Sequence, residues 1–303
     1  ASAKTGDATA VADLRSRSGR YISVWWESGW MERRSAVKSV KHKRRGTQTC
    51  SKVAATYTYK EVGELKVVIL CGGKGTRSYP FTEHFPKVMM PISGSPILVH
   101  LMHIYAAQGF TDFVLAAGYR KEILEDYFEG RFQDWNINIV DTGPESDTGE
   151  RIRRCAPYVG RTFFATYGDG LGNIDLHELL RFHKGKGSLA TVTSVRLRCQ
   201  YGTVLFDGSG RVQRFEEKPI IPDCWINAGF FVFERSVFEF WRGENLESEV
   251  VPSLARRGLL YTYLHEGFWK SMDTSKDQQE MERICNGNRK QAPWNLQYKV
   301  RTA

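Results

Sequence analysis

A doubly wound α/β domain on a mainly parallel, mixed sheet is predicted by three features of this 303-residue chain. Short β-branched runs alternate with amphipathic stretches from residue 66 to about residue 196, the order in which successive βαβ units are written. The first run ends in glycines, as a buried parallel strand does where it hands over to a ligand loop. After residue 200 several strand patterns crowd together with tight turns between them, which adds a small β region to the core.

The elements follow in order. Lys66–Leu70 (KVVIL) is a short apolar run and reads as the first buried strand. Residues 96–108 carry helical periodicity, Asp112–Ala117 (DFVLAA) is the second strand, and 120–129 is helical. A third strand is expected over Asn138–Val140, a helix over Thr148–Val159 and a fourth strand over Thr162–Tyr167 (TFFATY). A helix over 175–184 and a strand over 188–196 complete the alternating part. Strands are then expected at Gly202–Phe206, Val212–Glu216 and Ile226–Phe233, the first two joined through Asp207-Gly208-Ser209-Gly210. Helices at 246–257 and 275–286 close the domain, and no internal repeat is present.

Composition excludes several classes. No run of about 18 apolar residues occurs, so no membrane-spanning helix is expected. No secretory signal pattern is visible. Aromatic residues make up 13%, too many for a chain disordered throughout. The net charge of +9 is unevenly placed: residues 1–60 hold 13 Lys and Arg against 4 Asp and Glu, and the remainder is balanced. Residues 1–60 therefore read as a basic, poorly ordered leader and 61–303 as one domain, the body of the protein. A sequence pI near 9.2 suggests nucleic acid only until this split is seen; the neutral body opposes it. A tether to an anionic surface and a targeting leader remain open for the leader, although Asp7 and Asp13 disfavour a transit peptide. The six cysteines, Cys50, Cys71, Cys155, Cys199, Cys224 and Cys285, are widely spaced without a CxxC pair. They read as reduced thiols in a cytoplasmic protein and not as a zinc site or disulfide frame.

The loop after the first strand is Cys71-Gly72-Gly73-Lys74-Gly75-Thr76-Arg77. Glycines there let the backbone approach a phosphate, and successive amides can cradle an anion. A tight strand-to-helix turn needs glycines too, so the loop alone leaves both readings open. It is not a Walker A loop, because no Lys-Ser/Thr follows the last glycine, nor a dinucleotide GxGxxG, because Ser78 stands where the third glycine belongs. Arg77 ends the loop and Pro86-Lys87-Val88-Met89-Met90-Pro91 follows. A backbone cradle with one fork-shaped and one point-like cation suits a triphosphate.

The stretch LCGGKGTRSYPFTEHFPKVMMPISGSPIL resembles the signature of the sugar-1-phosphate nucleotidyltransferases. Further blocks are similar to those of the glucose-1-phosphate cytidylyltransferases: Asp141-Thr142-Gly143 with Thr148-Gly149-Glu150-Arg151, Tyr167-Gly168-Asp169-Gly170, Phe215-Glu216-Glu217-Lys218-Pro219, and Asn227-Ala228-Gly229-Phe230-Phe231-Val232. Gly267-Phe268-Trp269 with Met272-Asp273-Thr274, and Ala292-Pro293-Trp294, complete the series. The blocks run in order from about Lys66 to Trp294, and the leader has no counterpart among them. Departures are small: Cys71 where Ala is usual, Ser78-Tyr79-Pro80 after the loop, and Ala228 for a frequent Gly. Cys71 reads as a small buried residue and not as a nucleophile.

What the resemblance implies is a Rossmann-like nucleotidyltransferase fold, in a catalytic domain over 61–303, and the transfer of a cytidylyl group from CTP to glucose 1-phosphate; the alternatives are a related enzyme using dTTP, UTP or another sugar phosphate, and a non-catalytic regulatory relative. CDP-glucose and pyrophosphate would form with magnesium as cofactor, for polysaccharide synthesis, in a homo-oligomer. It gives Arg77 and Lys87 to catalysis on the triphosphate. It gives Leu70, Gly72, Gly73, Lys74, Gly75 and Thr76, with Thr142, Asp147 and Gly168, to the nucleotide. Lys218, Tyr201 and Asn227 fall to the sugar phosphate, and Asp169 and Asp273 to the metal. Each has a plain structural alternative: Asp169 as a turn residue, Asp273 as a helix cap, Lys218 as a surface lysine, Thr142 and Asp147 as loop-shaping residues, and Trp269 as a packing residue.

Overall fold

A computed structural model describes residues 65–285 and 292–295. The expected leader over 1–60 lies outside the described residues. In chain order the strands are β1 (Lys66–Leu70), β2 (Pro91–Ile92), β3 (Ser95–Pro96), β4 (Asp112–Ala117), β5 (Asn136–Asp141), β6 (Thr162–Tyr167) and β7 (Gly170–Gly172). They continue as β8 (Ala190–Arg198), β9 (Thr203–Phe206), β10 (Val212–Glu216), β11 (Ile220–Glu234), β12 (Leu260–His265) and β13 (Trp269–Ser271). The helices are α1 (Phe81–His84), α2 (Ile97–Ala106), α3 (Lys121–Phe128), α4 (Thr148–Arg154), α5 (Leu176–Lys186), α6 (Val251–Arg256) and α7 (Ser275–Cys285). Among the described residues no helix is long and apolar enough to cross a membrane.

Seven strands form the central sheet in the order β12-β8-β11-β6-β1-β4-β5. β11 runs antiparallel to β6 and β8, while the other neighbouring pairs are parallel. The expected mainly parallel mixed sheet is therefore present. Both of its faces are buried, and the strand alternation shows it. Val67 and Ile69 of β1 join one core with Phe113 and Leu115 of β4, Phe164 of β6, and α2. Val68, Val114, Phe163, Phe231 and Phe233 point the other way, into a second core with α4 and α6. Strands buried on both sides must read as near-continuous apolar runs, as KVVIL and TFFATY do. Each such buried side chain stabilises the fold by about 1.5–3 kcal/mol relative to exposure.

The sheet changes winding direction beside β1. From β1 the chain moves outward through β4 to β5, then returns to β6 on the other side. Ligands of open α/β sheets bind in the crevice at such a switch, beyond the carboxyl ends of the strands. The glycine loop leaves β1 there and Gly168-Asp169 leaves β6.

Several boundaries differ from the sequence reading. The helix expected over 148–159 stops at Arg154, and a 3-10 turn spans Ala156–Tyr158, because Pro157 cannot donate a backbone hydrogen bond to continue it. The helix expected over 246–257 opens as a π turn, Leu246–Val250, before α6. The predicted strand Ile226–Phe233 is the second half of the longer β11. Edge strand β12 was not expected, since its partly exposed LYTYLH presents no apolar run. The pairs β2–β3 and β7–β13 are too short to show a period. β9 and β10 form the small extra β region, a two-stranded ribbon with Phe206 and Phe215 64% and 63% exposed.

Candidate active site

The glycine loop is shaped by what lies under it. Gly75 takes a left-handed φ of 63°, and a Cβ there would meet the Lys87 side chain at 2.6 Å. Gly75 thus serves both the turn and the close passage of the loop over Lys87. The loop is tied to its surroundings by Cys71 N–H to the Ala116 carbonyl and by Tyr119 N–H to the Gly72 carbonyl, both 3.0 Å. Thr82 Oγ1 donates to the Gly75 carbonyl at 3.1 Å. Leu70 ends β1, Gly73 faces open space on its Cβ side, and Thr76 and Arg77 form a 3-10 turn with Ser78. Lys74 reaches across to Glu145 at 2.6 Å.

Four charges converge beside this loop. Lys87 Nζ lies 2.6 Å from Asp169 Oδ2 and 2.9 Å from Asp273 Oδ1, and Arg77 Nη2 lies 2.9 Å from the same Asp273 oxygen. Their positions come from different elements: Lys87 from a 3-10 turn after α1, Asp169 from the turn between β6 and β7, and Asp273 from the loop between β13 and α7. Hydrogen bonding locks the two acidic segments together, with Met272 N–H donating to the Asp169 carbonyl at 2.8 Å. Ser271 Oγ also donates to Asp273 Oδ2 at 3.2 Å. Asp273 is not the helix cap. Thr274 and Asp277 close the first turn of α7 reciprocally, Asp277 N–H to Thr274 Oγ1 and Thr274 N–H to Asp277 Oδ2.

Burial sharpens the electrostatics. Only 11% of the Lys87 side chain is exposed, against 73% of Arg77. Burial alone would lower the Lys87 pKa, but the charges of Asp169 and Asp273 and their hydrogen bonds outweigh it and hold the ammonium above its ordinary value. Burial would likewise raise Asp273; Lys87 and Arg77 overcome it and hold the carboxyl below its ordinary value. The Cys71 thiol is buried and pushed upward by burial and then by Cys155, which leaves it without thiolate character.

Gly168 is the steric hinge of the acidic turn. A Cβ there would meet Val88 Cγ1 at 2.5 Å and the Leu70 carbonyl oxygen at 2.7 Å. Gly168→Ala is expected to destabilise the fold by about 1–3 kcal/mol through overpacking, and to shift Asp169 away from Lys87. A melting temperature within one degree of the parent would contradict this.

The other predicted residues are placed as follows. Thr142 is fully buried; its hydroxyl donates to the Ala117 carbonyl at 2.6 Å and accepts from Arg151 at 2.7 Å. Asp147 caps α4, accepting from Thr148 N–H at 3.3 Å. Asn227 donates to Tyr167 Oη at 3.0 Å. Tyr201 is 76% exposed near the foot of the β9–β10 ribbon, and Lys218 holds a left-handed φ of 49° where the ribbon rejoins β11. Neither has a hydrogen bond to Lys87, Asp169 or Asp273 among the described residues. Trp269 packs and donates Nε1–H to the Ala228 carbonyl at 2.8 Å, and Trp294 is buried against Phe268.

The sequence reading passed over Arg151 as a site residue. The residue is 3% exposed and its guanidinium donates to neutral oxygens: Thr142 Oγ1 and the Gly143 carbonyl at 2.7 Å, the Pro144 carbonyl at 3.2 Å and the Ala117 carbonyl at 3.4 Å. Cβ atoms on Gly72 and Gly118 would lie 2.1 and 2.4 Å from its Nη1. The glycines therefore let the loop rest on a buried positive charge, an arrangement that favours an anion above it. Its place in the TGER block was the available signal, but an arginine after a glutamate on a short helix reads equally as a surface ion pair.

The set also fits a divalent cation. Two carboxylates meet at one point, and no group of three or more His, Cys, Asp or Glu side chains able to hold a metal occurs among the described residues. Magnesium suits this, since it takes one or two carboxylates and fills its octahedron with phosphate oxygens and water. The cluster of Arg77, Lys87, Asp169 and Asp273 is formally neutral, so a polyphosphate needs a further positive charge there.

Comparison with known proteins shows the family. Residues 66–280 match the family model described as Nucleotidyl transferase. The chain is 37% identical over 247 residues to a probable glucose-1-phosphate cytidylyltransferase of Bacillus subtilis, covering 73% of this chain and 96% of that relative. It is 36% identical over 256 residues to the glucose-1-phosphate cytidylyltransferase of Salmonella typhimurium, covering 76% and 98%. A mannose-1-phosphate guanyltransferase of Hypocrea jecorina is 34% identical over 226 residues, covering 70% of this chain and 62% of the relative. Among solved structures, HddC from Yersinia pseudotuberculosis superposes with a TM-score of 0.56 at 21% identity, over 72% of this chain and 98% of that one. That likeness concerns the fold.

Proposed function

From the premise that the chain belongs to the nucleotidyl transferase family, we propose that it transfers a cytidylyl group from CTP to glucose 1-phosphate, with magnesium, releasing pyrophosphate. The observation that carries the reading is the convergence of Lys87, Arg77, Asp169 and Asp273 at the switch point beside the glycine loop. Identities of 36–37% to the two bacterial glucose-1-phosphate cytidylyltransferases support the choice of CTP and glucose.

A phosphate oxygen of the sugar phosphate attacks the α-phosphorus in line, forming one P–O bond. The bond from the α-phosphorus to the α,β-bridging oxygen breaks, and the electron pair leaves with pyrophosphate. No covalent enzyme intermediate is needed, so positioning and charge stabilisation carry the rate. The loop amides and the Arg151 charge beneath them receive the triphosphate. Arg77, largely exposed at the mouth, is placed to fork across its oxygens. Lys87 moves from its two carboxylates towards the charge developing on the leaving group. Asp169 and Asp273 would hold the magnesium ion, which when bound supplies Lewis-acid neutralisation of phosphate oxygens. Lys218, Tyr201 and Asn227 receive the sugar phosphate.

The same reading places the enzyme in the cytoplasm as a homo-oligomer. Apolar Phe206 and Phe215 on a two-stranded ribbon are more than such a ribbon keeps uncovered on its own. The test is pyrophosphate release with magnesium and glucose 1-phosphate, comparing CTP, UTP, dTTP, ATP and GTP. A strong CTP preference is expected. Turnover with another nucleotide, or only with another sugar phosphate such as mannose 1-phosphate, would discard the substrate assignment. No turnover with any pair would discard the activity.

A further inference from the structure

Glu247 stands outside the charged cluster, yet two elements of the site converge on it. It lies in the π turn ahead of α6, whose start is capped by Asn245 Oδ1 accepting from Glu247 N–H and Ser248 N–H. This turn is pressed onto α4. Glu150 N–H donates to the Glu244 carbonyl at 2.8 Å, and a Cβ on Gly149 would lie 2.8 Å from that same oxygen. The exposed carboxylate of Glu247 is thereby held in one place.

Its two oxygens accept from two hydroxyls. Tyr167 Oη donates to Oε1 at 2.5 Å, and Thr148 Oγ1 donates to Oε2 at 2.6 Å. Tyr167 directly precedes Gly168-Asp169, and Thr148 opens α4 after the Asp141–Asp147 loop. The chain continues: Asn227 Nδ2 donates to Tyr167 Oη at 3.0 Å, and Gly229 N–H donates to Asn227 Oδ1 at 2.7 Å. Gly229 has φ 79°, and a Cβ there would lie 2.2 Å from the Tyr167 ring, so the ring is packed directly on this bend of β11.

The carboxylate sets the direction of the Tyr167 bond, and the Gly229 N–H sets that of the Asn227 amide. An ionised carboxylate only accepts, so Tyr167 must donate to it, and the tyrosine oxygen is left to accept from Asn227. The amide of Asn227 is anchored at both ends, Oδ1 by the Gly229 N–H and Nδ2 by Tyr167, which leaves one Nδ2 hydrogen for a ligand. We infer that Glu247 is a positioning residue for the acceptor sugar: by taking the Tyr167 hydroxyl proton it leaves the tyrosine oxygen as the acceptor that anchors Nδ2 of the Asn227 amide, which hydrogen-bonds a sugar hydroxyl. This rests on the sugar-phosphate reading of Asn227 above. A glutamine at 247 can donate as well as accept, so the Tyr167 hydroxyl can reverse; the Asn227 amide, still held at Oδ1 by the Gly229 N–H, then loses its anchor at Nδ2. Nucleotide contacts do not depend on that direction.

The test compares wild type, Glu247→Gln and Tyr167→Phe in steady-state turnover of CTP with glucose 1-phosphate and its mono-deoxy analogues. Glu247→Gln is expected to lower kcat/KM for the sugar phosphate about tenfold, as one misaligned hydrogen bond to substrate does, with the KM for CTP within about twofold. It should also erase the wild-type preference against one of the deoxy analogues, a readout that loosened packing alone does not move. Tyr167→Phe should do the same, and the double variant should lose no more than either single one. Unchanged deoxy discrimination, additive losses, or an equal rise in the KM for CTP would each overturn the inference while wild-type turnover upholds the enzyme. A wild type inactive with every substrate pair would overturn both.

Discussion

Asp169→Asn is expected to lower kcat for pyrophosphate release about 10³-fold, the scale on which loss of a single group stabilising transition-state charge is felt. The substitution keeps the size of the side chain and removes only its charge. Two roles for Asp169 predict opposite results. If the carboxylate merely neutralises Lys87, 2.6 Å away, its loss leaves the cluster with a net positive charge, and a triphosphate should bind more tightly with turnover retained. If it holds the divalent cation, the loss of charge removes a ligand that asparagine replaces poorly, and turnover collapses whatever happens to binding. Calorimetric titration of CTP beside the rate assay separates the two. A kcat within tenfold of wild type would sink the metal assignment.

Lys87→Met should be inactive to a similar degree, about 10³-fold in kcat, because the buried cation proposed to face the triphosphate is gone. Its effect on stability is the more telling part. Lys87 sits between Asp169 and Asp273 with 11% of its side chain exposed, so methionine leaves two partly buried carboxylates facing one site without a cation. The variant should melt lower than wild type in the presence of a chelator. Millimolar magnesium or manganese should then raise its melting temperature more than it raises that of wild type, because the ion binds the folded state where the ammonium stood. Equal shifts in the two proteins would show that the ammonium and the ion do not share these carboxylates.

How far the site is legible from sequence varies by residue. Arg77 and Lys87 share one block, and Asp169 and Asp273 lie in two others; Arg77 ends the glycine loop, Pro86 precedes Lys87 and glycines flank Asp169, while only its block marks Asp273. For Asp273 the local signals favoured a helix cap, and the structure assigns that task to Thr274 and Asp277. Arg151 carried no distinguishing local sign. Its role follows from neutral partners and from the glycines above it, which come from two different strand ends. Glu247 had still less: an exposed glutamate in an acidic stretch looks like solvated surface until Tyr167 and Thr148 are seen to meet on it. The edge strand β12 escaped for a related reason, since a partly exposed strand shows no apolar run.

The sequence by itself determined the alternation of strands and helices, the two-faced burial of β1, β4 and β6, the uneven placing of charge and the glycine loop proposed to meet the phosphate. Those properties are written in local order, in the period of apolar side chains and in the glycines a turn requires. Only the tertiary structure decided that Lys87 stands between Asp169 and Asp273, that Arg151 lies under the glycine loop, and that one carboxylate joins Tyr167 to Thr148. These pairs are 82, 186, 79, 80 and 99 residues apart, as the numbering gives for Lys87 with each aspartate, Gly72 with Arg151, and Glu247 with its two hydroxyls. Contacts of that span depend on how the sheet orders its strands, and no periodicity within a single element encodes them.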